Sequence, residues 1–278
     1  MKPRVMSLVI FTCAVGLLTS NSNTNITDAM IGIILVALGA GAAGCLNMWY
    51  EADLDGLMTR TCLRPIPTGK INKQQALAFG ILLSVFSVGA LNYFANTLSA
   101  ALLLFTILFY LFVYTIWLKR ITPQNIVIGG VAGSLPPVIG WTIATNSISM
   151  VSISLFLIIF FWTPSHFWSL SLYKTDDYKK AKIPMMPLAA GIEKTKVYIL
   201  IYSLLMLPVV ILPYAIAFSG LIYLIPAMML TIYYNSICYD LYKHKKKKFV
   251  LKKAKKVFGY SILYLFLIFV LFLTDNLI

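Results

Sequence analysis

MVSISLFLIIFFWTPSHFWSLSL (residues 150–172) runs straight into YKTDDYKKAK (residues 173–182). The first stretch holds no Asp, Glu, Lys or Arg over 23 residues, a length that crosses a bilayer as a helix. The second sets two adjacent carboxylates, Asp176 and Asp177, among Lys174, Lys179, Lys180 and Lys182. An apolar helix that ends in such a stretch is leaving a membrane. The pattern recurs on both sides of it. Apolar runs predict nine spans, at residues 4–20, 28–50, 74–93, 98–117, 124–144, 150–172, 196–216, 221–241 and 257–274. Hydrophobic residues make up 60% of the chain and charged ones 12%, far from an ordinary soluble domain. The expected fold is an all-α polytopic membrane bundle in one domain, residues 1–278, with no hydrophilic module or long linker.

The charges are placed as regularly as the spans. With nine spans and the N-terminus inside, all 23 Lys and Arg residues fall on one face. Lys2 and Arg4 precede the first span, and Arg60, Arg64, Lys70 and Lys73 follow the second. Lys119 and Arg120 follow the fourth, residues 174–196 the sixth, and residues 243–256 the eighth. The opposite loops (21–27, 92–97, 146–149 and 218–220) have none. The positive-inside rule then predicts an inside N-terminus and an outside C-terminus. The net charge of +14 is thereby a topology signal drawn to anionic membrane lipid, with no nucleic-acid partner implied. The first span lacks a signal-peptide cleavage site, and no Arg- and Ser-rich transit segment precedes it, which points to a bacterial inner membrane. Cys13, Cys45, Cys62 and Cys238 are scattered without a CxxC and read as small apolar residues. No Asp, Glu, Lys or Arg falls in mid-span, which argues against a pump or secondary transporter.

Five of the nine acidic residues lie in two loops, after the second and sixth spans. The first of these reads Asn47-Met48-Trp49-Tyr50-Glu51-Ala52-Asp53-Leu54-Asp55. On a helix Asn47, Glu51 and Asp55 drift only ~40° per step and share a face, while Asp53 points elsewhere unless the helix unwinds after Glu51. Carboxylates at a helix C-terminus oppose its dipole and need a counter-charge. A divalent cation shared with a phosphate is the best available, and magnesium takes such oxygen ligands. Arg60 and Arg64 carry planar forks suited to phosphate, or they pair with the acidic motif and set topology. Lys119 and Arg120 stand to close the other side of an anion site, with Lys174 beside the second motif. Gly129, Gly130 and Gly133, after Asn125, permit close helix packing or make room for a flat ligand. His166 is the one intramembrane histidine. It is either functional or bonded to a carbonyl freed by Pro164. Were the sixth span helical as far as Asp177, the two residues would lie ~16 Å apart on nearly one face.

Together these stretches are recognisable. NMWYEADLDGLMTRTCLRPIP (residues 47–67), YTIWLKRITPQNIVIGGVAGSLPPVIGW (114–141), WTPSHFWSLSL (162–172) and TDDYKKAKIPMMP (175–187) closely resemble the haem-farnesylating branch of the UbiA-type intramembrane prenyltransferases. The resemblance covers most of the chain in order. It implies nine transmembrane helices around a central cavity. It implies transfer of the farnesyl group of farnesyl diphosphate to a vinyl group of haem b, with addition of water, giving haem O and diphosphate. Magnesium is the implied cofactor, haem b is a substrate, and a haem A synthase downstream is the implied recipient. Asn47, Glu51, Asp53, Asp55 and Asp177 become the expected catalytic group, with Asn47, Glu51, Asp55 and Asp177 on the metal. Arg60, Arg64, Lys119, Arg120 and Lys174 are expected on the diphosphate. His166, Trp162, Tyr178 and Asn125 are expected on the haem. Three features depart from the pattern. Glu51 stands where an aspartate is usual, Ser165 replaces a proline common beside the histidine, and the stretch before Lys2-Pro3-Arg4 is shorter than is usual. The second motif also lacks the paired DxxxD of quinone-type relatives, since position 181 is Ala. A sibling that prenylates a quinone-ring or chlorophyll-type acceptor is the alternative, and a haem or lipid transporter a more distant one.

Overall fold

The computed structural model describes residues 3–20, 22, 24–59 and 61–278, with side chains from Met6 onward. Arg60 lies outside the described residues. All regular structure among them is helical. Helix α1 (Pro3–Leu18) is followed by α2 (Ile26–Tyr50), a short α3 (Ala52–Leu57), α4 (Lys73–Phe94) and α5 (Thr97–Leu108). The fifth helix continues into a π-helical segment (Phe109–Trp117) and a 3₁₀ turn (Leu118–Arg120). Next come α6 (Asn125–Ser134) and α7 (Pro136–Thr145), which together make one crossing. Then follow α8 (Met150–Tyr173), the short α9 (Thr175–Lys180) and α10 (Met186–Ala189), and finally α11 (Gly191–Ala215), α12 (Leu221–Lys243) and α13 (Lys247–Leu277).

Eight of the nine expected spans are helices long and apolar enough to cross a membrane. The other, α1, has 16 residues, just under the ~17–25 that a span requires. It is held along α7 by mutual close approach. A Cβ at Gly16 would collide with the Pro137 carbonyl, and one at Gly140 with the Cys13 carbonyl. Two helices start earlier than the apolar runs do: α11 at Gly191 and α13 at Lys247. Hydropathy marks where lipid begins, whereas lysine and glutamate prolong a helix well beyond it.

Helix starts are capped from the sequence. Asn72 with Gln75, and Ser149 with Ser152, form reciprocal capping boxes. The start of α12 is capped from another helix: Asp275 near the end of α13 accepts the amides of Gly220 (2.6 Å) and Tyr223 (3.1 Å). At the far end, fully buried Lys196 donates to the carbonyl of His244 (2.7 Å) just past α12 and pairs with Glu193 (2.9 Å). Helix α8 sits at the centre, packed by α6, α11 and α13. It runs unbroken through Pro164 and stops at Lys174. That stop breaks the continuous helix on which a shared face for His166 and Asp177 depended.

Candidate active site

The joint between α2 and α3 is almost helical. The Glu51 amide bonds the Asn47 carbonyl (3.0 Å), and the Asp55 amide bonds the Glu51 carbonyl (2.8 Å). The four-residue register therefore carries through. Asn47, Glu51 and Asp55 are all buried, with no more than 2% exposed. The Asp53 side chain lies on the other face, 52% exposed, and is not brought to them.

Each of these carboxylates meets its own cation. Lys119 Nζ lies 2.5 Å from Glu51, Arg64 donates to Asp55 Oδ2 (2.6 Å), and Arg120 donates to Asp53 (3.0 Å). Lys119 is delivered by the π-helical segment. Within it Thr115 donates to the Tyr110 carbonyl five residues back (2.8 Å) and accepts from Asn47 Nδ2 (3.0 Å). A buried pair such as Glu51–Lys119 is costly to break by removing one member, because the other is left charged in low dielectric.

The second acidic loop joins the first. Thr59 Oγ1 donates to Asp177 Oδ1 (2.7 Å), and Asp177 and Tyr178 are both buried. Asp176 faces outward, and Lys174 is half-buried at the break between α8 and α9. Two clefts open at this rim with Arg120 in both walls. One, about 400 Å³, is lined by Trp49, Tyr50, Asp53 and Lys73. The other, about 340 Å³, lies against Leu54, Leu57, Lys180, Lys182 and Ile183.

The donor set fits a hard divalent cation. Asp55 and Asp177 each have one oxygen held by a protein donor. The other oxygen, Asp55 Oδ1 and Asp177 Oδ2, is buried without a hydrogen-bond partner. Buried carboxylate oxygens in that position call for a cation. No cluster of three or more His, Cys, Asp or Glu stands at metal-binding spacing among the described residues. The carboxylates repel one another, and Glu51 and Asp55 lean toward Lys119 and Arg64.

Deeper along α8 the chemistry is neutral. His166 stacks between Trp162 (ring centres 4.2 Å apart) and Phe258 (4.7 Å). Its Nδ1 lies 2.7 Å from Ser261 Oγ on α13, so its partner is not a carbonyl freed by Pro164. Trp162 Nε1 donates to the Ser261 carbonyl (2.9 Å). Ser165 is bonded to Tyr234 (2.7 Å), which gives a polar role to the position where a proline was expected. Asn125, fully buried, donates to the Thr122 carbonyl (2.6 Å) and keeps Oδ1 without a partner. Of the three glycines after it, Gly129 lies against Tyr114 and Gly130 against Thr163, while Gly133 faces open space. Reading the sequence missed Thr59, Thr115, Phe258 and Ser261. Single hydroxyls and a phenylalanine in a chain this apolar carry no local signal.

The chain belongs to the UbiA prenyltransferase family, which it matches over residues 8–262. It is 75% identical to the protoheme IX farnesyltransferase of Pelagibacter ubique, over all of this chain and 92% of that protein. It is 50% identical to protoheme IX farnesyltransferase 2 of Mesorhizobium japonicum, over all of this chain and 88% of the relative. Among solved structures, a digeranylgeranylglyceryl phosphate synthase superposes with a TM-score of 0.81 at 19% identity, covering 99% of this chain and 94% of the other. A UbiA homolog from Archaeoglobus fulgidus bound to DMAPP and Mg2+ gives 0.67 at 16% identity, covering 96% of each chain. At those identities the two structures speak for the fold alone.

Proposed function

We propose that this membrane protein transfers the farnesyl group of farnesyl diphosphate to a vinyl group of haem b, giving haem O and diphosphate. The relatives' shared name supports the reaction. The observation that carries the chemistry is the rim itself, where buried Glu51 and Asp55 are already matched to Lys119 and Arg64. That arrangement supplies carboxylates for a metal and cations for the diphosphate side by side. Glu51, Asp55 and Asp177 with Asn47 are the residues that would hold magnesium, which when bound neutralises the leaving diphosphate. Lys119 and Arg64 turn from carboxylate to diphosphate oxygens, joined by Arg60, Arg120 and Lys174. The allylic C1–O bond breaks and the electron pair leaves with diphosphate. The haem vinyl then attacks the farnesyl cation, and water adds to the resulting cation with loss of a proton. Exclusion of bulk water beforehand protects the first cation from hydrolysis.

The haem side is assigned to His166, Trp162 and Asn125, together with Tyr178 beside Asp177 at the rim. Asp53 is assigned to the outer wall, where its pair with Arg120 holds the mouth together. Nine spans with the N-terminus inside put the acidic loops in the cytoplasm of a bacterial inner membrane, from which haem O passes to a haem A synthase. The test is direct. Membranes containing the protein, given haem b, farnesyl diphosphate and Mg2+, yield haem O by mass spectrometry. Absence of product from well-inserted protein overturns the assignment.

A further inference from the structure

The contacts around Ser261 bear on where the imidazole proton of His166 sits. Ser261 Oγ has one hydrogen, and it is donated to the Phe258 carbonyl (2.7 Å). His166 Nδ1 approaches the same oxygen at 2.7 Å. With the hydroxyl hydrogen on that carbonyl, the proton between Nδ1 and Oγ comes from the ring, which is the Nδ1–H tautomer and leaves a lone pair on Nε2. Among the described residues Nε2 has no hydrogen-bond partner.

The same serine fixes the ring's plane. Its carbonyl accepts Trp162 Nε1, and Trp162 lies nearly parallel to the imidazole at 20°. Phe258, one turn before Ser261, covers the opposite face at 26°. Both faces of the ring are closed and one nitrogen is anchored. An imidazole whose far nitrogen is held by a protein acceptor, while the near one is bare, is the arrangement by which proteins orient histidine toward a metal. The anchoring acceptor also makes Nε2 a better donor of electrons.

We propose that Ser261 is a positioning residue which fixes the Nδ1–H tautomer of His166 and presents Nε2 as an axial ligand to the iron of bound haem b. The proposal rests on the assignment of His166 to the haem side. Neither residue touches the ionic rim, so farnesyl diphosphate binding serves as a check on folding.

The experiment is a titration of purified protein with ferric haem b, without farnesyl diphosphate, followed by absorbance and electron paramagnetic resonance. Wild-type protein is expected to give the spectrum of an iron–histidine complex. Ser261→Ala lets the ring change tautomer and should weaken haem binding about 10-fold and lose that spectrum in part. Ser261→Thr keeps the hydroxyl and should restore both. His166→Ala should abolish the signature. All variants should bind farnesyl diphosphate as wild type does. An unchanged spectrum in His166→Ala overturns the assignment of His166 to haem and the proposal with it. A changed spectrum in His166→Ala alongside wild-type behaviour in Ser261→Ala overturns the proposal alone. Failure of Ser261→Thr to rescue also overturns it, because packing rather than the hydroxyl would then be responsible.

Discussion

The rim and the interior of this bundle solve opposite problems. At the rim, charge is buried and matched: Glu51 with Lys119, Asp55 with Arg64. Around His166, about two helical turns from the end of α8, no charged group is among its contacts in the described residues, and order comes from stacked rings and two hydrogen bonds to one serine. Ion pairs can be exchanged for other ions at little net cost, since each partner is stabilised by any counter-charge. Stacked and hydrogen-bonded neutral groups have no such substitutes. On the function proposed above, the rim suits partners that arrive and leave with their charge, and the interior suits one flat molecule held in one orientation.

Substitutions can break this division. Asp55→Asn should have the largest effect, a loss of turnover of ~100-fold or more together with Mg2+-dependent diphosphate binding, because an anionic ligand is gone and Arg64 loses its partner. Membrane assays for haem O and equilibrium binding of farnesyl diphosphate measure both. Retained activity removes Asp55 from the site. Lys119→Met comes next. It strands Glu51 in the interior and should destabilise the protein by about 3 kcal/mol. Added Mg2+ should then raise its melting temperature more than it raises that of wild type, since the ion takes the vacated role. Equal shifts for the two proteins would mean that Glu51 does not meet the metal.

Arg64→Lys keeps the charge and loses the fork. A KM for farnesyl diphosphate raised about 10-fold, with kcat little changed, is expected from steady-state kinetics. A normal KM would leave Arg64 with its pairing to Asp55 and no part in binding the diphosphate. Asp53→Asn should do least. Its pair with Arg120 is largely exposed, worth no more than about 1 kcal/mol, and activity should stay within about twofold. A large loss there would move Asp53 inside the site. None of the four should alter the absorbance spectrum of bound haem, and any that does would dissolve the boundary between the regions.

The order of the spans was readable because lipid demands long apolar runs and because lysine and arginine avoid crossing. The shared face of Asn47, Glu51 and Asp55 was readable because four-residue spacing survives the joint at Glu51. The end of α8 at Tyr173 was readable from the apolar run that closes at Leu172, whereas the break that separates it from α9 was not, since nothing in Tyr173-Lys174-Thr175 forbids a helix. Just past the stop at Lys174 the second loop is tied back to the first by Thr59 on Asp177. The partners of His166 were equally hidden. Ser261 is 95 residues away, and only packing of α8 on α13 brings the two together. Tertiary contacts between isolated hydroxyls leave no period or motif to find.

The π-helical segment at residues 109–117 has a consequence for how this chain tolerates insertions and deletions. Its backbone turns close over five residues rather than four, so the segment holds surplus chain within an otherwise ordinary helix. Deleting a single apolar residue there removes that surplus: the wide turn relaxes to α-helical bonding and the residues beyond it keep their direction. Lys119 then stays on Glu51. The same gap in α4, which has no wide turn to take it up, rotates everything beyond it by about 100°. The chain therefore tolerates a lost residue better just before its charged rim than in a regular helix.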